Sequence, residues 1–548
     1  MNDVSNFVKT NPKHSHTIVL ISGELLTPNV VKQLESVKQV QGLLVISAAA
    51  PLDPYSETSS FPQANATTAG EDGAYTWNIA MHDVIHHEYK WPMWSVESEA
   101  IPTLLQQARR NLAESTRFGV VMKQFMYGYK NTATCLKYEY CEPVGGHSVW
   151  GALPMPSSDT LSGKSIIMTL SRLDSISIFS GEAIGADSDM SGLVANLAAL
   201  TTLSGIDNLQ GDNPPGYRAV DPSLFVDPIV WAFFDAENWG YAGSTRFLHD
   251  WTNFKCITGR CTSTSFRKTF QSLSLDNIRE VIEVRQVGAR QQRDQTHKLF
   301  VHQHYHNFAS ESVETVISAS AGLNTTVTTA SMRTPGLPPS SVFTFLNAAV
   351  ASGKTTLANS MVVIADHDEH YSNPYYGSRY DTRRNVDVKM ITDAATLLAR
   401  TLYAHATHLP ASESTFINVN SSLVASWLEC LTVNSNCPLA RTFTPTLKQD
   451  IVERPSHYHG PFFDYALSSI GKLVHDYMIY VSRNRSLDAA LKSCSDDAEC
   501  QSSEACVVGK CMSALAVDYH DAYSVGIEPN AKGGWTIVDP KLDNWVEP

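Results

Sequence analysis

The sequence predicts an α/β protein of two lobes, and three stretches carry that prediction. The run Ile229–Phe234, inside PIVWAFFDAENWGYAGSTR, is too short for an independent helix and rich in β-forming residues, so it reads as an interior strand covered on both faces. MVVIAD at 361–366 has the same character. Residues 388–407 form an amphipathic helix with Ile391, Ala395, Leu398, Leu402 and Ala406 on one stripe, a face suited to packing on such a sheet. A chain of 548 residues is long enough for more than one folding unit.

Taken in order, TIVLIS at 17–22, a helical pattern through Val30, Val31 and Leu34, and GLLVIS at 42–47 predict a first α/β lobe. A connection rich in Ser, Pro, Thr and Gly at 51–73 reads as a solvent loop. A sheet-like segment at 91–97 and a helix at 101–113 follow, then a loop stapled by Cys135 and Cys141. The composition shifts at PMPSSDTLSGK, 154–164, which places the lobe boundary between 155 and 156. Beyond it, strand and helix alternate: SIIMTL at 165–170, a helix near 192–203, the strand at 229–234, a helix near 242–251 and a strand near 281–287. Crossover connections make successive strands of this kind parallel.

Hydrophobic residues make up 43% of the chain and charged residues 18%, as in a globular protein. A formal charge of -14 argues against nucleic acid as a partner. The ten cysteines, 135, 141, 256, 261, 430, 437, 494, 500, 506 and 511, fall in close sequence neighbours without zinc-finger spacing, so disulfides are expected. In the knot at 494–511 (Cys494, Cys500, Cys506, Cys511) three pairings are open. Cys256 and Cys261 form another close pair, as do Cys430 and Cys437. Sequons at Asn65, Asn324, Asn420 and Asn484 agree with a secretory route. No run is long enough to span a bilayer and no signal-peptide core follows Met1, the pattern expected of an ectodomain trimmed of its hydrophobic ends.

Several motifs have bland readings that carry more weight. ASGKTT at 351–356 resembles the end of a phosphate loop, but Ala348 stands where the loop needs glycine, so a helix start is expected. His302, His304 and His306 in HQHYH would share one face of a strand, and His82, His86 and His87 have helical spacing, but neither set has a partnering carboxylate in a ligand pattern. HDEH at 367–370 follows an interior strand and is placed to wall a site.

The carboxyl ends of the strands are where open α/β sheets form their ligand crevice. Asp174 in SRLDS and Asp235 and Glu237 in FFDAENWGYAGS all fall there. At these strand ends the chain resembles the co-catalytic zinc aminopeptidases, and far more closely the nicastrin family, the glycosylated ectodomain subunits of γ-secretase. GLLVIS, NTATC, SRLDS, GADSDMSGLVA, FFDAENWGYAGS, VVIADHDEHYSNPYYGSRYDT and GGWTIVDPKLDNW carry the resemblance in order and spacing over most of the chain.

The resemblance implies a large lobe built on an aminopeptidase-like mixed sheet flanked by helices, residues 156–548, and a smaller α/β lobe, residues 1–155, that contributes a lid. Position by position, the aminopeptidase metal ligands are replaced by Arg172, Ser188, Asn238, Arg285 and Gly377, a set that cannot coordinate two divalent ions. No cofactor or metal is expected. The general-base position, Glu237, and its orienting carboxylate, Asp174, remain, but a base without a metal-bound water has no nucleophile to activate. The family's binding motif reads GYAGS here, with Tyr241, Gly243 and Ser244 kept and Gly240 and Ala242 in place of its Asp and Ile. Glu237 then becomes the expected contact for a substrate ammonium group, with helix capping as the competing role. Arg172 and Arg285 are expected to supply the positive charge that metal once gave.

This reading implies a non-catalytic substrate receptor or steric gate facing the lumen or cell exterior. Its partners would be a presenilin-type aspartyl protease, the other γ-secretase subunits and type I membrane proteins as substrates. The alternatives are a secreted zinc aminopeptidase with ligands moved to His367, His370 or the HQHYH cluster, and an adhesion ectodomain unrelated to proteolysis. Trp91, Trp94 and Trp150 are candidate lid residues, with core packing as their alternative fate.

Overall fold

The computed structural model describes residues 16–46, 53–59, 75–85, 87–113, 118–121, 131–154, 161, 163–206, 218–253, 270–290, 297–304, 310–444, 455–462, 468–483, 491–501, 504–514, 517–530 and 532–547. The first lobe is a three-stranded parallel sheet of β1 (Thr17–Ser22), β2 (Val40–Ile46) and β3 (Met93–Val96). The helix Pro28–Glu35 crosses between β1 and β2. Thr27 starts it by accepting the Val30 amide at 3.4 Å, and Pro28 at its first position needs no amide partner. Val30, Val31 and Leu34 recur on one face and bury against Leu43, Val45 and Trp91.

The second lobe is organised by an eight-stranded mixed sheet. A short β4 (Glu142–Pro143) pairs outside this sheet with Val546–Glu547. The sheet itself takes β5 (Gly145–Leu153), β6 (Ile166–Arg172), β7 (Ile229–Phe234), β8 (Ile278–Val284), β9 (Lys298–Gln303), β10 (Thr326–Thr329) and β11 (Met361–Ala365). A cystine-tied hairpin of β12 (Glu504–Val507) and β13 (Lys510–Ser513) precedes its last strand, β14 (Val517–Tyr523). The spatial order is β10-β9-β11-β8-β6-β7-β5-β14. The central four, β7, β6, β8 and β11, run parallel, as the crossovers predict. β9 and β5 run antiparallel to their central neighbours, so the sheet is mixed.

Strand β5 lies on the amino-terminal side of the expected 155/156 boundary yet is hydrogen-bonded into this sheet between β7 and β14. By strand pairing the division therefore falls before residue 145. Composition signalled the loop after β5 and not the start of the lobe.

The period-two pattern of the strands explains why both faces are dry. Ile229, Trp231 and Phe233 join one core with the helices Met190–Leu203, Val388–Thr407, Ser421–Thr432 and Ser469–Ser482, while Val230, Ala232 and Phe234 join the other with Ala242–Asn253 and Val342–Ala351. Each such side chain contributes about 1.5–3 kcal/mol by leaving water. The helix Met190–Leu203 is buried at every position, and at Gly192 a Cβ would lie 2.1 Å from the Val284 carbonyl oxygen. Only glycine lets this helix lie that close to the end of β8.

Cys135–Cys141, Cys430–Cys437, Cys494–Cys506 and Cys500–Cys511 are disulfides, so the terminal knot takes the crossed pairing. Cys256 and Cys261 lie outside the described residues, as do Asn65 and Asn484. Asn324 is exposed, and the Asn420 side chain caps the helix that follows it by accepting the Ser422 amide at 2.9 Å. Among the described residues no helix is long and apolar enough to cross a membrane.

Candidate functional site

The carboxyl ends of β6, β7 and β8 carry Asp174, Glu237 and Arg285 into one buried region. β7 stops at Phe234 because the chain turns sharply: Ala236 (φ 56°), Gly240 (φ 71°) and Tyr241 (φ 58°) all occupy the left-handed region. Asp174 fixes this turn. Its two carboxylate oxygens accept the amides of Glu237 and Asn238 at 2.9 Å each, and the Asn238 side-chain amide donates to it at 3.2 Å. Gly243 completes the turn, since a Cβ there would lie 2.1 Å from the Asp235 carbonyl oxygen.

Glu237 sits at the amino end of the helix Ala242–Asn253 with no accessible surface. One carboxylate oxygen accepts the Ser244 amide at 2.8 Å, and the other accepts the hydroxyls of Ser244 at 3.0 Å and Ser341 at 2.6 Å. Of the two roles expected for Glu237, ammonium contact and helix cap, the geometry is that of the cap: the side chain is interior and placed where unpaired amides and the helix dipole favour an acid. Burial pushes its pKa up to about 7, against the pull of Arg172 and of the Ser341 and Ser244 hydrogen bonds. For Asp174, burial and then Asp235 push it up to about 6, opposed by Arg172.

Arg172 ends β6 and Arg285 follows β8. Both are almost wholly buried, and both reach the same oxygen of Asp189, at 3.9 and 4.0 Å. The Arg172 guanidinium stands 5.3 Å from the centre of the Tyr241 ring, and Arg285 stands 5.7 Å from that of Tyr376 and donates to its hydroxyl at 2.6 Å. Ser188 is beside them: its amide donates to Asp381 and its hydroxyl to Asp189. Gly377 takes the left-handed conformation (φ 55°) on the loop that follows β11, next to Tyr376. Arg172, Asp174, Glu237, Asn238, Tyr241, Gly243, Ser244 and Arg285 thus assemble as the sequence places them. Asp189 was missed, although it lies in the same GADSDMSG run as Ser188. Ser341, more than a hundred residues downstream of Glu237, carries no signal in the sequence.

The histidines do not converge. His302 is buried on β9 and bonds the His367 carbonyl at 2.9 Å; β9 ends at Gln303, which leaves His304 past the strand, and His306 is outside the described residues. His367 packs against Trp77 and Tyr371, whereas His370 is exposed and bonds the Thr76 carbonyl. His82 and His87 lie in non-helical chain, which corrects the helical spacing, and His86 is not described. Among the described residues, the group at metal-ligand distances is Cys494, Cys500 and Cys511, whose sulfurs are in disulfides.

A strap from the first part of the chain covers the site. Tyr55 donates its amide to the Pro374 carbonyl, and Ser56 bonds the Tyr376 carbonyl. Glu57, wholly buried, accepts from Arg379 at 2.8 Å, from the Ser177 hydroxyl and from the Ile178 amide at 2.9 Å each. Trp77 fills the space against Tyr371 and Tyr376. The three tryptophans singled out as lid candidates are elsewhere: Trp91 in the first-lobe core, Trp150 in the core beside Phe247, and Trp94 more than half exposed.

The chain matches the family models for the nicastrin large lobe, over residues 165–403, and the nicastrin small lobe, over residues 1–128. It is 27% identical to a nicastrin of Dictyostelium purpureum over 547 residues, covering 97% of this chain and 79% of the relative. A nicastrin of Arabidopsis thaliana is also 27% identical, over 561 residues, covering 95% and 77%. The crystal structure of the γ-secretase component nicastrin superposes with a TM-score of 0.81 at 23% identity, covering all of this chain and 91% of that one.

Proposed function

The chain belongs to the nicastrin family, whose members are γ-secretase subunits, and on that premise we propose that it acts as a non-catalytic steric gate of the complex. Hydrolysis of peptide bonds falls to a presenilin-type aspartyl protease partner, within a complex completed by the other γ-secretase subunits. This chain stands on the luminal or extracellular side, where disulfides persist, and admits type I membrane proteins whose ectodomains are short.

One observation carries this reading: both carboxylate oxygens of Glu237 are engaged by Ser244 and Ser341 in the interior. A general base must reach the proton it removes, and a receptor carboxylate must reach its ammonium. Glu237 reaches neither while the strap is in place. Arg172, Ser188, Asn238, Arg285 and Gly377, at the aminopeptidase ligand positions, supply no metal-binding set, which supports a pseudoenzyme. Asp174, Tyr241, Gly243 and Ser244 then serve to hold the turn, and Arg172 to balance its acids.

The test is made in the assembled complex with a short-ectodomain substrate and the same substrate carrying a lengthened ectodomain. Gating by bulk predicts that Glu237→Gln leaves cleavage of the short form unchanged, while lengthening suppresses cleavage in both forms of the complex. Loss of short-substrate cleavage in Glu237→Gln, with normal assembly, would instead establish recognition of the amino terminus. The zinc aminopeptidase alternative is checked by metal analysis with an aminoacyl-anilide assay; stoichiometric zinc with turnover would overturn the gate.

A further inference from the structure

At the opposite, amino-terminal edge of the same parallel strands lies a cavity of about 460 Å³, where β8 begins. Its size is in the range that holds a small ligand. It is walled by the start of β8, the first turn of the helix Glu311–Ala319, the Gly353–Lys354 turn and His405 of the helix Val388–Thr407. This is where the ASGKTT run falls, and its chemistry is not that of a phosphate site.

The charges decide the polarity. Arg279 is satisfied: it bonds Asp227 at 2.7 Å, His408 at 2.9 Å and His405 Nδ1 at 3.1 Å. Lys354 is ion-paired with Asp276 at the rim. Neither cation is left to hold an anion. The acids are different. Glu280 is 1% exposed and lines the cavity; one of its oxygens is 3.0 Å from His405 Nε2, and the other, Oε1, has no hydrogen-bond partner. A buried carboxyl oxygen without a donor is a cost that a bound donor would remove. Glu311 stands exposed at the mouth. Leu275, Ile278 and Leu357 add an apolar wall suited to a short alkyl chain.

We propose that this cavity binds a small primary alkylammonium ion, its charged head donating to Glu280 at the floor and drawn in by Glu311 at the mouth. The groups facing Glu280 are Arg279 on its own strand, Glu311 and Ser312 from one helix, and His405 from another. Burial pushes the Glu280 carboxyl up to about 8, against a hydrogen bond from the Ser312 hydroxyl and the charge of Arg279, and burial pushes His405 down to about 4. Around neutrality the carboxyl therefore carries a proton that the ammonium must displace. Affinity rises with pH until Glu280 is ionised, well below the range near 10.4 where a primary amine loses its own charge.

The experiment is calorimetric titration of the chain with n-butylammonium, its uncharged analogue n-butanol, and inorganic phosphate, at pH 6.5 and 8.5. Butylammonium should bind and butanol and phosphate should not, with affinity about tenfold or more higher at pH 8.5. Glu280→Gln, which keeps the uncharged shape, should weaken binding at least about tenfold and erase the pH dependence, and Glu311→Gln should weaken it about two- to threefold. Phosphate bound in preference to butylammonium, no butylammonium binding at either pH, or equal binding by wild type and Glu280→Gln would each overturn the proposal. Should Glu280→Gln fail to fold, butylammonium binding that is pH-independent and insensitive to Glu311→Gln overturns it equally.

Discussion

The two ends of the central strands solve the same problem in opposite ways. At the carboxyl edge, Asp174, Asp189, Glu237 and Glu283 share a dry interior with Arg172 and Arg285, and most of the carboxylate oxygens are occupied by backbone amides or hydroxyls. At the amino edge, Glu280 lines a cavity of about 460 Å³ with one oxygen unpartnered, while the neighbouring cations are paired with other acids. The edge that usually carries the active site of such a sheet is filled with structural bonds, and the edge that usually carries nothing holds space. What lies beside the unpartnered oxygen separates the two edges: Asp189 Oδ1 and Glu283 Oε1 also lack a hydrogen-bond partner, but the buried Arg172 and Arg285 stand by those acids, whereas Glu280 lines a cavity.

If the carboxyl edge is held by charge balance, Arg172→Ala is the largest blow to it. Removing the guanidinium leaves Asp189 with Arg285 alone, and should cost about 3–5 kcal/mol in urea unfolding, as for other broken buried pairs. An unchanged midpoint would mean that the pair does not hold this edge.

The next effect is on pH dependence. Glu237 has a folded pKa of about 7, raised by burial above the ordinary glutamate value. A raised carboxyl pKa means that the folded state binds the proton more tightly, so this stabilisation is complete below about pH 4 and is lost as pH rises toward 7. The loss from this one group is about 3 kcal/mol. Unfolding followed at pH 5 and 7.5 should show a smaller fall for Glu237→Gln than for wild type; equal slopes would assign the pH dependence to other acids.

Smallest is the contrast between two replacements of Glu237. Alanine removes the helix cap and leaves the Ser244 amide and Ser341 hydroxyl without their acceptor, at a cost of about 2 kcal/mol. Glutamine keeps an acceptor for the Ser244 amide and should cost under about 1 kcal/mol. Equal melting temperatures for the two variants would remove the capping role and reopen this edge as a binding site.

The interior strands and the long helix were legible because their signals are local. Ile229–Phe234 and Val388–Thr407 are bounded in the structure as the sequence bounds them, since an apolar run or a 3.6-residue stripe is complete within one element. The positions of Asp174 and Glu237 at strand ends were legible for the same reason, but the bonds they make were not: Glu237 reads from the sequence as an ammonium contact, with the cap it forms as the competing role. What the sequence hid depends on distant partners. Ser341 meets Glu237 only through the fold, and β5 declares its lobe only by pairing with β7 and β14. Trp77 and Glu57 lie in or beside a stretch rich in loop-forming residues, so nothing local marks them as the cover of the site.

The pairing of β5 with β14 also governs the order of events at the ribosome. β5 ends at Leu153 and its outer partner begins at Val517, so the edge it presents stays unpaired while the intervening chain is made. At about 5–20 residues per second that interval lasts tens of seconds. Throughout it, a strand whose nine residues are all buried in the finished protein has a free row of amides and carbonyls, open to pairing with a neighbouring nascent chain. A factor that shields that edge until β14 emerges would keep it from pairing with another chain.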